Sequence, residues 1–328
     1  MILVTGATGF LGRNLCEHLA RQGYAFRVLA RSGSDTSFLQ TFNNIDIVRG
    51  DVVDFESVQA AVRGCEQVIH AAAHFRLWGP PAPFLQTNVD GTRHVLEAAL
   101  AAGVKRFIHV STIIVVGPQK PGAVITEDTP CQPYFTDNYA QTKFLGERLV
   151  LNYVNNKGLP GVILRLGALY GPHGHYAFNR LFFEEFLRNW RVQVHGGRHI
   201  IFPCYVGNAA RVIESALTQG QVGQIYNVSD RSITHKEANQ TVSRLAGRSS
   251  WRINVPARLM IEFANILEDI AFFTHREPFY PKNLEPYVFD DWQVDSSKAE
   301  RELGFTPTPF SEGVEQTLAW YRSLGYIR

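Results

Sequence analysis

Charge of either sign is in short supply as a signal, because the chain's 32 Lys and Arg are nearly cancelled by 30 Asp and Glu. A formal net charge of +2, with no basic run interleaved by aromatics, excludes a nucleic-acid partner on electrostatic grounds. Cysteine is equally sparse. Cys16, Cys65, Cys131 and Cys204 are scattered, with neither metal-ligand spacing nor the density of a disulfide framework. Free thiols of this kind fit a reducing, cytoplasmic setting, which is the expected location. No run of roughly eighteen uncharged apolar residues is present, so no membrane span is expected. The opening residues MILVTGATGFLG have no charged stretch before their apolar run, which predicts the start of a folded domain rather than a leader.

What is present is an ordered alternation. The 328 residues, 45% of them hydrophobic, suffice for one large or two modest domains. Short apolar runs at 1–5, Phe26–Ala30, Ile45–Val48, Val68–Ala72, Phe107–Ser111 and Gly161–Leu166 read as buried strands. Helical periodicity lies between them, at Leu11–Arg21, Phe55–Val62, Val89–Ala102 and Ala140–Asn156. The alternation predicts an α/β fold, a doubly wound parallel sheet covered on both faces, over residues 1–170. Strand-like returns are expected at Tyr205–Val206 and Ile225–Val228, within a returning region near 201–230. Aromatics and prolines then accumulate between Trp251 and Trp292, before a terminal helix near Glu312–Arg322. A smaller substrate-binding domain is expected from 171–200 and 231–328. There is no internal repeat and no low-complexity linker.

TGATGFLG sets Gly6, Gly9 and Gly12, with Phe10 and Leu11, at the junction of the first strand and first helix. Such a turn needs a residue free to take positive φ, and a helix amino terminus offers N–H groups and positive dipole to a pyrophosphate. In a strand–turn–helix context this predicts a Rossmann-type dinucleotide site. The usual acid at the end of the second strand is missing, and Ala30, Arg31 and Ser32 stand there instead. A carboxylate would repel a 2′-phosphate, whereas a guanidinium can bind one in two places. The expected cofactor is NADP(H), with NAD(H) also possible.

These pieces, with GDVVD at 50–54, VIHAAA at 68–73, NVDGT at 88–92, VSTIIVVG at 110–117, YAQTK at 139–143, LRLGALYGP at 164–172 and VDSSKAERELGF at 294–305, resemble the extended short-chain dehydrogenase/reductase family over nearly the whole chain. These are NAD(P)-dependent epimerases, dehydratases and reductases. The resemblance implies that Asp51 and Val52 bracket the adenine, that Ala71 and Ala72 approach the cofactor, that Asn88 supports the site and that Leu166 lines the nicotinamide. It makes Tyr139 the proton donor or acceptor, and Lys143, one helical turn on, the group that favours phenolate and holds the nicotinamide ribose. A free tyrosine titrates near 10, too high for a base at neutral pH, so a neighbouring ammonium would bring it down. Thr112 is the implied substrate-orienting hydroxyl, with Ser111 in reserve.

Departures from the family narrow the reaction. Ile113 and Ile114 occupy the places where dehydratases of this family carry an Asp–Glu pair. Ala168, Ile201 and Asn208 occupy places where nucleotide-sugar epimerases carry Asn, Arg and Asp; Arg180, Arg191 and Arg198 could substitute as diphosphate donors. The chain is closer to the dihydroflavonol reductase, 3β-hydroxysteroid dehydrogenase-like and hopanoid-associated epimerase subgroup. The expectation is therefore hydride transfer between NADP(H) and a ketone or secondary alcohol of a largely apolar small molecule. An NAD-dependent nucleotide-sugar epimerase is the alternative, and a dinucleotide sensor without chemistry is a third. The family also implies a possible homodimer through paired helices.

The stretch Arg258–Phe273, with Phe279, Tyr280, Tyr287 and Trp292, either walls an apolar pocket or packs as core and lid, with a membrane-surface role a third reading that the sparse Lys and Arg there disfavour. His173 and His175 resemble half a metal site but lack further ligands, so no metal is expected and a loop role near the substrate mouth is. His70 and His74 read as structural histidines flanking the cofactor strand, and Cys204 as a thiol that nothing activates.

Overall fold

The computed structural model describes residues 1–327. Its centre is a seven-stranded sheet, every adjacent pair parallel. The chain enters through β1 (Ile2–Thr5), α1 (Phe10–Arg21), β2 (Phe26–Ala30), β3 (Ile45–Arg49), α2 (Phe55–Val62) and β4 (Gln67–His70). A short α3 (Pro81–Leu85) passes through a π-turn at Gln86–Asp90 into α4 (Gly91–Ala101). Then come β5 (Arg106–Thr112), the two-residue β6 (Val124–Ile125), α5 (Asn138–Lys157) and β7 (Gly161–Leu166). The sheet order is β3-β2-β1-β4-β5-β7, completed at the far edge by β12 (Ile225–Val228). Strand order reverses between β1 and β4, where Thr5 sits level with His70. In open sheets of this kind the carboxyl ends beside the reversal form the ligand crevice.

Both faces of the sheet are covered, which is why its strands are apolar without alternation. Ile2 and Val4 join Leu15 and Leu19 of α1 and Val212 and Ile213 of α7 (Val206–Thr218) on one side. Leu3 joins Val58 of α2, Val95 and Leu96 of α4 and Val150 of α5 on the other. Each such fully buried Leu or Val contributes about 2 kcal/mol of transfer free energy. The helix carrying the Tyr–Lys pair is bounded sharply. Asp137 caps the amino end of α5, accepting from the N–H groups of Tyr139 (2.9 Å) and Ala140 (3.0 Å), and Gly158 ends it in the left-handed conformation at φ 71°.

Beyond β7 the chain makes small pieces: β8 (Ala168–Tyr170), α6 (Glu185–Leu187), β9 (Val192–Val194), β10 (Ile200–Ile201) and β11 (Pro203–Tyr205). After β12 follow β13 (Ile233–Thr234), α8 (His235–Leu245), β14 (Ile253–Val255), α9 (Ala257–Thr274), α10 (Glu285–Phe289), β15 (Gln293–Val294), α11 (Ser297–Leu303) and α12 (Phe310–Ser323). Tyr170, Phe178, Phe183, Val314 and Leu318 build a separate aromatic-rich core, while Ala299 and Leu303 of α11 return to the sheet beside α7. Two expectations need correction. The strand expected at Tyr205–Val206 lies at Pro203–Tyr205, and Val206 already begins α7. Arg258–Phe273 falls within α9, and it is neither core nor pocket wall over most of its surface: only Met260, Ala264 and Ala271 are buried.

Candidate active site

A cavity of about 560 Å³ runs from the β1–α1 turn, past the ends of β2, β4 and β5, to the aromatic core beyond β7. Its first half is a phosphate cradle. Gly6 has φ +74°, and a Cβ there would lie 2.6 Å from the backbone nitrogen of Ala72; a Cβ on Gly12 would lie 2.0 Å from the carbonyl oxygen of Gly6. Only glycine permits β4's continuation and the start of α1 to approach so closely. The α1 amino terminus has no side-chain cap and no acid in its first turn, so its N–H groups and positive dipole end are left for an anion. Gly9, Phe10, Leu11, Asp51, Val52, Ala71 and Ala72 line the same half. Arg31 is exposed on its wall, just past β2, while the nearby acid Asp35 is turned onto the Ser37 N–H (2.8 Å). Arg49 is engaged instead with the carbonyls of Arg31 and Ser34, both at 3.1 Å. This cradle fits the pyrophosphate of a nicotinamide dinucleotide.

The middle of the cavity gathers Ser111, Thr112, Tyr139, Lys143 and Leu166. The two candidate hydroxyls have different surroundings. Ser111 donates to Glu147 Oε2 at 2.7 Å, and Glu147 is locked in a buried pair with Arg165 (Nη2–Oε1 2.5 Å). Thr112 is left to the cavity. Asn88 is buried and stands behind the cavity wall rather than on it. Its amide donates to Thr142 Oγ1 (2.9 Å) and accepts from the His74 N–H (2.7 Å), tying the loop after β4 to α5.

The electrostatics of the pair also differ from expectation. Lys143 donates to the Val110 carbonyl at 2.6 Å, and burial pushes its pKa down from 10.5 to about 8, against the pull of Glu147. The Tyr139 phenol is pushed up, first by burial and second by the negative charge of Asp137; Lys143 does not bring it down. Desolvation of the phenol is the leading effect, and the Lys143 ammonium is committed to the Val110 carbonyl. A phenol held in its protonated form can donate a proton to a developing alkoxide.

The remaining half is walled by Leu77, Tyr176, Phe178, Leu181, Phe182, Ile201, Phe202, Leu284 and Val288, with Ala168 between. Ile113 and Ile114 are buried. None of Arg180, Arg191 and Arg198 lines the cavity. Arg180 stacks on Phe279 at 5.0 Å, and Arg191 lies over Phe186 at 5.8 Å. Asn208 is buried against Asp230 (2.6 Å) and Thr308 (2.9 Å). Tyr287 lines the cavity, whereas Phe279, Tyr280 and Trp292 do not. His175 is on the wall, 2.6 Å from Glu184, and His173 lies 3.7 Å from Glu17; the described residues hold no cluster of three or more metal-ligating side chains. His70 is fixed between Thr5 (2.8 Å) and Thr92 (3.0 Å), and His74 lies on the wall. Cys204 is buried off the wall, with its thiol pushed up by burial.

Sequence reasoning missed Phe75, Arg76, Tyr176 and His235 as wall residues, while of the four aromatics expected near a pocket only Tyr287 is one. Phe75 packs on Tyr139 (ring centroids 4.6 Å apart) and on Tyr176 (5.3 Å). Only position carried a signal, since Phe75 and Arg76 follow the VIHAAA segment and Tyr176 follows the YGP turn.

Known proteins share this arrangement. The model of the NAD dependent epimerase/dehydratase family matches residues 2–229. The "Putative dihydroflavonol 4-reductase" of Synechocystis sp. is 28% identical, over 99% of this chain and 95% of its own. Sterol demethylase protein B of Methylococcus capsulatus is 29% identical, over 99% of both. Among solved structures, DesIV, a dTDP-glucose 4,6-dehydratase from Streptomyces venezuelae with NAD and TYD bound, superposes with a TM-score of 0.80 at 25% identity, over 98% of this chain and 97% of its own. With a dinucleotide cradle at the strand-order reversal, a Tyr–Lys helix beside it and a family match over more than half its length, this chain is an extended short-chain dehydrogenase/reductase, a member of the NAD-dependent epimerase/dehydratase family of oxidoreductases.

Proposed function

We propose that the protein transfers hydride between NADP(H) and a ketone or secondary alcohol of a largely apolar small molecule. The carrying observation is the second half of the cavity, where aromatic and aliphatic side chains outnumber the donors Arg76, His175 and His235 and where Ala168 and Ile201 stand at places that carry donors in nucleotide-sugar epimerases. Buried Ile113 and Ile114 supply no acid–base pair for dehydration. The bound nicotinamide supplies or accepts the hydride. Thr112 orients the substrate oxygen by hydrogen bond, and Tyr139, held protonated by burial and Asp137, delivers the proton to that oxygen in the reducing direction. Lys143 holds the nicotinamide ribose. Arg31 meets the 2′-phosphate, and the α1 terminus takes the pyrophosphate.

The test is to denature freshly purified protein, identify the nucleotide released, and follow NADPH and NADH oxidation with a panel of apolar ketones. Preferential use of NADPH with ketone-dependent turnover supports the proposal. Stoichiometric retained NAD, with interconversion of a nucleotide sugar and no net nicotinamide turnover, refutes it in favour of an epimerase.

A further inference from the structure

Helix α9 presents Leu259, Phe263, Ile266, Ile270 and Phe273 at intervals of four, three, four and three residues, all exposed. Phe272 and Phe273 are 73% and 80% exposed. Six apolar side chains open along one short helix form a patch far beyond the scattered exposed Leu or Val that needs no explanation. The opposite side of α9 is buried through Met260 and Ala264, which pack in one cluster with Leu77, Leu284 and Val288. Those three also line the cavity. Helix α9 thus backs three of the residues that wall the proposed substrate space.

The helix itself has few basic residues, but the fold supplies them from elsewhere. Parallel pairing of β14 with β9, Ile253 level with Val192, joins two arginine-rich segments ahead of α9. Residues 186–198 contribute Arg188, Arg191 and Arg198, residues 244–256 contribute Arg244, Arg248 and Arg252, and Arg258 stands in the first turn of α9; neither segment contains an acid. Arg188 lies 3.8 Å from Glu185, and the other six have no ion-pair partner among the described residues; Arg191, Arg248 and Arg252 are tied to the carbonyls of Ser249, Leu187 and Ser250, which leaves Arg198, Arg244 and Arg258 to meet a partner. Trp190, Trp251 and Ile253 are exposed within the same segments, and Trp190 packs on Phe279 (5.2 Å), a residue of the α9 cluster. Tryptophan beside an apolar helix stripe, edged by unpaired arginines, is the chemistry of a lipid–water boundary.

We propose that this face seats the protein on an anionic lipid bilayer, the α9 stripe and Trp251 entering the headgroup–acyl boundary and the arginines meeting lipid phosphates. No helix among the described residues is long and apolar enough to cross a membrane, so the contact is peripheral. Charge complementarity selects lipid over a second copy. Antiparallel stripes from two copies would bring the flanking Glu262 of each against Asp269 of the other, like charge on like.

The experiment is flotation of the full-length protein with vesicles of phosphatidylcholine alone and with about one-third phosphatidylglycerol. Binding to the mixed vesicles at least about tenfold above binding to phosphatidylcholine, weakening as salt rises, is the expected result. Phe272→Ser with Phe273→Ser lowers it by about tenfold or more. Arg198→Gln with Arg258→Gln lowers it severalfold while melting temperature and NADPH binding stay unchanged. The proposal is overturned if wild type ignores anionic vesicles at low salt, or if both double variants bind as wild type does. It is equally overturned if sedimentation shows a wild-type dimer that the phenylalanine substitutions dissociate.

Discussion

Tyr287 donates its hydroxyl to Oδ2 of Asp137 at 3.2 Å, so a residue of the C-terminal region reaches the cap of the helix that carries Tyr139. The carboxylate has two duties: it seats the first turn of α5 through Oδ1, and its charge raises the Tyr139 phenol. Asn caps a helix about as well as Asp. Asp137→Asn therefore keeps the turn and removes the charge, lowering the apparent pKa of the tyrosine by roughly half a unit or more in the pH profile of kcat/KM for alcohol oxidation. An unmoved profile would show that Asp137 acts on structure alone.

Tyr139→Phe removes the proton donor without touching the cradle at Gly6 to Gly12. Turnover is expected to fall by about a thousandfold while the nucleotide Kd changes less than about threefold. Stopped-flow hydride transfer and fluorescence titration of NADPH measure the two separately.

Thr112 and Ser111 are separable. Thr112→Ala costs kcat through lost substrate orientation and leaves the melting temperature near wild type. Ser111→Ala removes a donor from the buried Glu147–Arg165 pair and costs about 1–3 kcal/mol of stability in denaturant unfolding.

Lys143 has its charged form penalised by burial, with a folded pKa of about 8 against 10.5 unfolded. Below pH 8 both states are protonated and the penalty is complete. Between pH 8 and 10.5 the unfolded chain holds a proton the folded one has released, so stability rises with pH and the penalty fades. Lys143→Met is therefore expected to stabilise the fold by about 2 kcal/mol at pH 7, net of the lost bond to Val110, and by little near pH 10.5. Urea unfolding of both proteins across that range measures the difference, with activity falling in the same variant.

Arg31→Glu places a carboxylate where the 2′-phosphate is expected. The ratio of kcat/KM for NADPH over NADH should fall by at least about tenfold. A constant ratio would leave Arg31 a solvated surface residue.

Much of this was legible in the chain because it is local. The glycine turn needs only neighbours in sequence, and the strands of the parallel sheet announce themselves as apolar runs because both faces are covered. Tyr139 and Lys143 share one helix, so their spacing carries across. The walls of the cavity were not legible. Phe75, Tyr176 and His235 come from segments far apart, and nothing in their local pattern marks them as facing one space. Asp137 was visible as an acid before the helix, but its contact with Tyr287 spans 150 positions. Helix α9 shows a different limit: an apolar periodicity records which side chains repel water, not whether anything in the same chain covers them. The basicity missing from α9 comes from the segments flanking β9 and β14, brought together by a pairing no local window contains.

Strand β12 closes the sheet at the edge of β7, yet β8 to β11 and α7 intervene in the chain. During synthesis β7 is complete at Leu166 while its partner begins only at Ile225, and at ribosomal speed that interval lasts several seconds. Throughout it, a strand destined to be buried at all six positions offers an open row of backbone donors and acceptors. The nascent chain therefore passes through a stage in which its aggregation risk is concentrated on Gly161–Leu166, and a ribosome stalled between those two strands would release the most adhesive form of this protein.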